Sequence, residues 1–151
     1  MKSICIVCCW LLFGISTSVA QDVTPKPIAP YTPAVMVNGT LYLSGQIPRV
    51  PETGELIKGD IKKATEQCMK NIGVLLKQNG LDFEDLVMVN VYMTDMDNYK
   101  AINEAYAPFF KNQKFPARAA IQVVRLPMDA EVEISGIAVN RSGVHLLNIK
   151  E

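Results

Sequence analysis

The sequence predicts an α+β domain, with helices packed on one face of a mixed β-sheet. Three observations carry that expectation. Short runs of alternating or β-branched apolar residues recur along the chain, two longer stretches between them repeat apolar residues at helical spacing, and an Asn-Gly pair joins the first two strand-like runs. The element order is β-β-α-β-α-β-β, and two long helices among antiparallel strands argue a helix layer stacked on a sheet. At 151 residues there is enough chain for one core and too little for two.

The first twenty residues read as something other than fold. Lys2, an apolar run from Ile4 to Ile15, and Ser18-Val19-Ala20 before Gln21 form a charged start, a hydrophobic centre and a small-x-small cleavage site. We expect a signal peptide over residues 1–20, a single mature domain over 21–151, and export to a periplasm or the exterior; an uncleaved N-terminal anchor is the alternative. The run is short for a membrane-spanning helix, so no membrane attachment is expected after cleavage. Of the four cysteines, cleavage leaves only Cys68, which excludes a disulfide framework in the mature chain. The formal charge is zero, and loss of Lys2 leaves 14 basic against 15 acidic side chains. Neither balance suggests nucleic acid or an acidic membrane as partner.

Residues 22–33 carry four prolines and form an extended arm. Ala34 to Val37 and Thr40 to Ser44 are strands, joined at Asn38-Gly39 by a type I′ turn, which demands two positive φ angles. Asn38-Gly39-Thr40 and Asn140-Arg141-Ser142 are also glycosylation sequons, though the turn accounts for Asn38 by itself. Ser44-Gly45 either ends the strand in a turn or exposes amides to an anion. A loop with a Glu-Thr-Gly-Glu turn follows. Asp60 is a helix N-cap and Gly80 a C′ residue, and Ile61, Ala64, Cys68, Ile72, Leu75 and Leu76 mark the buried face between them. On that stripe Cys68 is a small core residue. Leu86 to Thr94 is a strand; Asp95 or Asp97 caps a second helix reaching Phe110, shortened or kinked at Pro108.

The last two strands flank a Pro-Met-Asp turn and contain the residue that most needs explanation. Arg118 lies among alanines and valines, where a guanidinium is costly unless it is paired or meets an anion. Glu133 stands in a similar setting on the final strand. A pairing of Arg118 with Glu133 or Glu131 that only stabilises the assembly is one reading; a clamp on an anionic ligand is the other. In a direct hairpin about Met128, Arg118 and Glu133 would lie about five rungs apart, on the order of 17 Å. They could then share a ligand only through another strand order or a neighbouring subunit.

The run Phe115-Pro116-Ala117-Arg118, then Leu126-Pro127, Val132-Glu133-Ile134 and Ile137-Ala138-Val139, together with Ser44-Gly45-Gln46-Ile47 and Pro30-Tyr31, resembles the Rid family of imine deaminases over about residues 28–140. The resemblance implies a chorismate-mutase-like fold, a homotrimer, and a ligand cleft at each subunit interface. It implies hydrolysis of 2-imino acids such as 2-iminobutanoate and 2-iminopropanoate to 2-keto acids and ammonia. By position, Arg118 clamps the substrate carboxylate, Glu133 orients water or shuttles protons, Tyr31 shapes the cleft, and Ser44, Gly45 and Asn103 complete it. For Tyr31 the alternative is an aromatic residue covering a sheet edge. Ala29, Ala120 and Ser135 stand where the family has glycine, often cysteine, and an acidic residue.

The residues agree with that chemistry. No Ser-His-Asp grouping, metal-ligand cluster, dinucleotide fingerprint or lysine-bearing cofactor motif is present, and His145 has no companion at ligand spacing. We therefore expect no cofactor and no metal. An arginine grips a planar carboxylate through two parallel hydrogen bonds, and a carboxylate beside it can move a proton. A protonated imine carbon is already electrophilic, so positioning and modest electrostatics suffice. A non-catalytic binder of small carboxylates would use the same clamp; the ribonuclease activity attributed to some of the family fits the neutral charge poorly.

Overall fold

The computed structural model describes residues 23–140. The expected leader with its cleavage site, the Arg141-Ser142 end of the second sequon, and His145 lie outside the described residues. Five strands, β1 (Ala34–Val37), β2 (Thr40–Gln46), β3 (Leu86–Met93), β4 (Ala117–Gln122) and β5 (Val132–Val139), form one sheet in the order β1-β2-β5-β3-β4. Helices α1 (Ile61–Gln78) and α2 (Tyr99–Tyr106) cover one face. The α+β class and the element order follow the sequence closely.

The local reasons are visible residue by residue. Asn38 and Gly39 have φ of 48° and 75°, the left-handed pair that closes β1 onto β2. Asp60 caps α1, its side chain accepting from the Lys63 amide, and Gly80 takes the positive φ just past the helix end. Gly73 interrupts the helix interior because Phe83 rests on it: a Cβ there would stand 3.0 Å from the ring. Asp95 rather than Asp97 caps the second helical segment, which opens as a 3-10 turn, becomes α2, and reverts to a 3-10 turn over Ala107–Phe109 at Pro108. Pro108 lacks an N–H to donate, so the shortening is the expected one.

The core lies between the helices and the sheet. Ala64, Cys68, Ile72, Leu75 and Leu76 of α1 meet Leu41, Leu43, Val89, Val91, Val132 and Ile134. Cys68 is fully buried, and burial, with a smaller contribution from the Glu133 charge, pushes its thiol well above the ordinary value. It is a core residue, as its place on the stripe indicates. Among the described residues the opposite face of the sheet carries no helix: Val35, Val37, Tyr42 and Ile121 there are between 44% and 50% exposed.

The structure decides the strand order that the C-terminal sequence left open. β4 and β5 do not pair; β3 lies between them, parallel to β4 and antiparallel to β5. The Pro127–Asp129 turn carries positive φ at Met128 and Asp129 and leads the chain across β3 instead of back along β4. Only β5 is central, whereas β4, with Arg118, is a sheet edge. Arg118 is consequently half-buried.

Candidate functional site

The strand registers decide how Arg118 and Glu133 relate. Arg118 is paired with Val89, whose side chain is buried against the helices, while Glu133 is paired with Tyr92 on the alternate face. The two residues therefore project from opposite faces of the sheet. They are two strands and three rungs apart, about 14 Å by strand geometry. The expected site residues fall into two groups accordingly.

The first group surrounds Glu133. A cleft of about 350 Å³ is lined by Tyr31, Ser44, Gly45 and Glu133, with Ile28 and Pro127 at its border. It exists because β2 is irregular between Leu43 and Gln46, where its pairing with β5 slips at Ser44-Gly45. Glu133 fills that slip: a Cβ on Gly45 would lie 1.7 Å from Glu133 Oε1. Ser44 Oγ donates to the Thr32 carbonyl at 2.7 Å and the Ser44 amide to Pro33, which ties the arm carrying Tyr31 to the sheet. Beneath it, the buried Asn71 of α1 donates to the carbonyls of Ile47 and Arg49 and holds the end of β2. Glu133 has no hydrogen bond or ion pair among the described residues, and burial raises its carboxyl above the usual range. A half-buried carboxylate without a partner can exchange a proton.

The second group surrounds Arg118. Asn103, Tyr106, Ala107, Phe115, Pro116 and Arg118 line a cleft of about 310 Å³ between α2 and β4. Among the described residues Arg118 has no carboxylate partner, so the pairing with Glu133 or Glu131 does not occur within the chain. Its guanidinium carbon lies 5.0 Å from the Tyr106 ring centroid and 5.7 Å from that of Tyr99, and Nη2 donates to Tyr99 Oη at 3.2 Å. Tyr106 is buried, its hydroxyl has no partner among the described residues, and burial pushes it up to about 12 against the opposing pull of the Arg118 charge.

Sequence reasoning had named Asn103 but neither tyrosine. Tyr99, Asn103 and Tyr106 stand at i, i+4 and i+7 of α2, so both tyrosines share a helical stripe with the asparagine that the resemblance named. Pro127, in the turn between β4 and β5, was likewise unforeseen as a wall of the Glu133 cleft. Among the described residues no group of three or more His, Cys, Asp or Glu could hold a metal ion.

A five-stranded mixed sheet with two helices on one face is the α+β architecture of solved Rid-family structures. The chain belongs to the Rid family: residues 21–140 match the family profile described as Endoribonuclease L-PSP. A RutC family protein of Pyrococcus horikoshii is 46% identical over 114 residues, which span 76% of this chain and 90% of that protein. The human 2-iminobutanoate/2-iminopropanoate deaminase is 41% identical over 115 residues, spanning 76% of this chain and 83% of the relative. A solved Rid family protein of unknown function from Yersinia pestis superposes with a TM-score of 0.76 at 42% identity, covering 80% of this chain and 95% of the other.

Proposed function

We propose that this protein hydrolyses 2-imino acids to 2-keto acids and ammonia, in sites completed by two chains of a homotrimer. The observation that carries the proposal is the split between the two groups. Among its described residues, one chain presents an arginine without a carboxylate partner and a half-buried glutamate without any partner, on opposite faces of one sheet. Each is half of a small-acid site, and the halves can meet only between chains. The exposed apolar residues of the helix-free face, Val35, Val37, Tyr42 and Ile121, offer the surface on which copies would pack. The human relative's name gives the substrate class that such halves would suit.

The chemistry then follows from the groups present. Arg118 grips the substrate carboxylate through two parallel hydrogen bonds, and Asn103 beside it can bond the same end of the molecule. Water attacks the imine carbon while Glu133 of the neighbouring chain accepts its proton. That proton returns to nitrogen, the C–N bond breaks as the carbonyl forms, and keto acid and ammonium leave. Tyr31 closes the cleft above Glu133. The leader expected over residues 1–20 would carry this activity out of the cytoplasm.

The family profile's description names a ribonuclease, but among the described residues Arg118 is the one cation lining its cleft, which suits a single carboxylate better than a polyanion. The test is keto acid release from freshly generated 2-iminopropanoate and 2-iminobutanoate. Release above the spontaneous rate is expected. Keto-acid binding without any acceleration would make the protein a carboxylate binder, and neither binding nor acceleration would end the proposal.

A further inference from the structure

Arg118 is held differently from the other described arginines. Arg125 is paired with Asp129, and Arg49 donates to the Gly54 carbonyl. Arg118 instead lies against two aromatic rings, with a single hydrogen bond to a phenol oxygen. The difference has a chemical consequence. A ring face attracts the guanidinium through its π-electrons and engages the cation's flat side, leaving in-plane N–H groups free to bind an anion. A carboxylate partner would occupy those same donors.

We propose that Tyr99 and Tyr106 are positioning residues that hold Arg118 oriented for a ligand carboxylate. The inference deepens the proposed function and rests on it. The two tyrosines act in distinct ways. Tyr106 is buried, its hydroxyl is unpartnered, and its contribution is the ring face alone. Tyr99 is 41% exposed and contributes both a ring face and the oxygen that accepts from Nη2, which fixes rotation of the guanidinium in its own plane. Both sit on the α2 stripe with Asn103, so a single helix sets the arginine and the amide beside it.

Five variants test this: Tyr99→Ala, Tyr99→Phe, Tyr106→Leu, Tyr106→Phe and Arg118→Lys, each assayed for imine turnover, 2-oxobutanoate affinity and melting temperature. We expect Tyr99→Ala and Tyr106→Leu to raise KM and weaken keto-acid binding about three- to tenfold, with kcat less affected, as a cation–π contact between the exposed and the desolvated extremes implies. Tyr106→Phe should recover most of what Tyr106→Leu loses, and Tyr99→Phe only part, since the oxygen is missing. Because Tyr99 is exposed, Tyr99→Ala keeps the test open even if Tyr106→Leu fails to fold. Normal KM and affinity in Tyr99→Ala, with Arg118→Lys inactive, would overturn the inference and leave the proposed function standing. Losses that track melting temperature alone, with no recovery by the phenylalanine variants, would also overturn it. An unmutated protein that neither binds nor turns over its ligand would remove the proposed function itself, and this inference with it.

Discussion

Glu133 lies in the space that a side chain on Gly45 would need: a Cβ there would stand 1.7 Å from Oε1 and 2.6 Å from the carboxyl carbon. The glycine is thus part of the site, admitting a carboxylate against the backbone of β2 where the β2–β5 register slips. Gly45→Ala should push the carboxylate out of the cleft. Because the clash falls on the end of a flexible side chain, the fold should survive. We expect most turnover to be lost with little change in melting temperature; normal turnover would show that the carboxylate is not needed in that place.

Arg118→Lys keeps the charge and loses the fork. Each of the two parallel charged hydrogen bonds contributes roughly 1.5–3 kcal/mol, and lysine keeps no more than one of them. Losing the rest should lower kcat/KM about 100-fold. Arg118 lies on an edge strand without a carboxylate partner, so melting temperature should hold. A large fall in melting temperature with normal keto-acid binding would instead mark Arg118 as a structural residue.

Arg118 and Glu133 on opposite faces make a composite site directly testable. Mixed trimers assembled from inactive Arg118→Lys and Glu133→Gln chains should regain activity, because some interfaces pair an intact arginine with an intact glutamate. Random assembly makes about a quarter of the sites whole. Recovery near that level, measured after joint refolding, supports the arrangement; an inactive mixture of folded trimers would refute it.

Glu133 also links stability to pH. Burial raises its folded pKa above the unfolded value, so its contribution to stability is full below the unfolded pKa and is lost as pH rises through the folded pKa. Glu133→Gln should therefore melt higher than the unmutated protein at neutral pH, with the gap closing as pH falls toward the ordinary value of 4.5. A gap independent of pH would contradict this.

Tyr106 behaves likewise at the alkaline end. Its hydroxyl, ordinarily near 10.0, is pushed up to about 12 by burial. Its contribution is full below pH 10.0 and lost as pH climbs toward about 12. Tyr106→Phe removes a buried hydroxyl without a partner, worth on the order of 1 kcal/mol, and should be the more stable protein at neutral pH. Its advantage should widen between pH 10 and 12, and unfolding curves across that window will show whether it does.

Much of this protein was legible in the chain because the signals are local. The Asn38-Gly39 turn, the Asp60 cap, the stripe through Cys68 and the break at Pro108 each depend on a few neighbouring residues, and each stands as read. The candidate residues Tyr31, Ser44, Gly45, Asn103, Arg118 and Glu133 were named from motifs, but their grouping was not legible. It depends on β3 entering between β4 and β5, a long-range pairing that no local pattern encodes, and this sets Arg118 on an edge and Glu133 on the opposite face. The aromatic support of Arg118 was hidden for the same reason. Tyr99 and Tyr106 share a helical stripe in sequence, but only the packing of α2 over the edge strand brings that stripe onto the guanidinium.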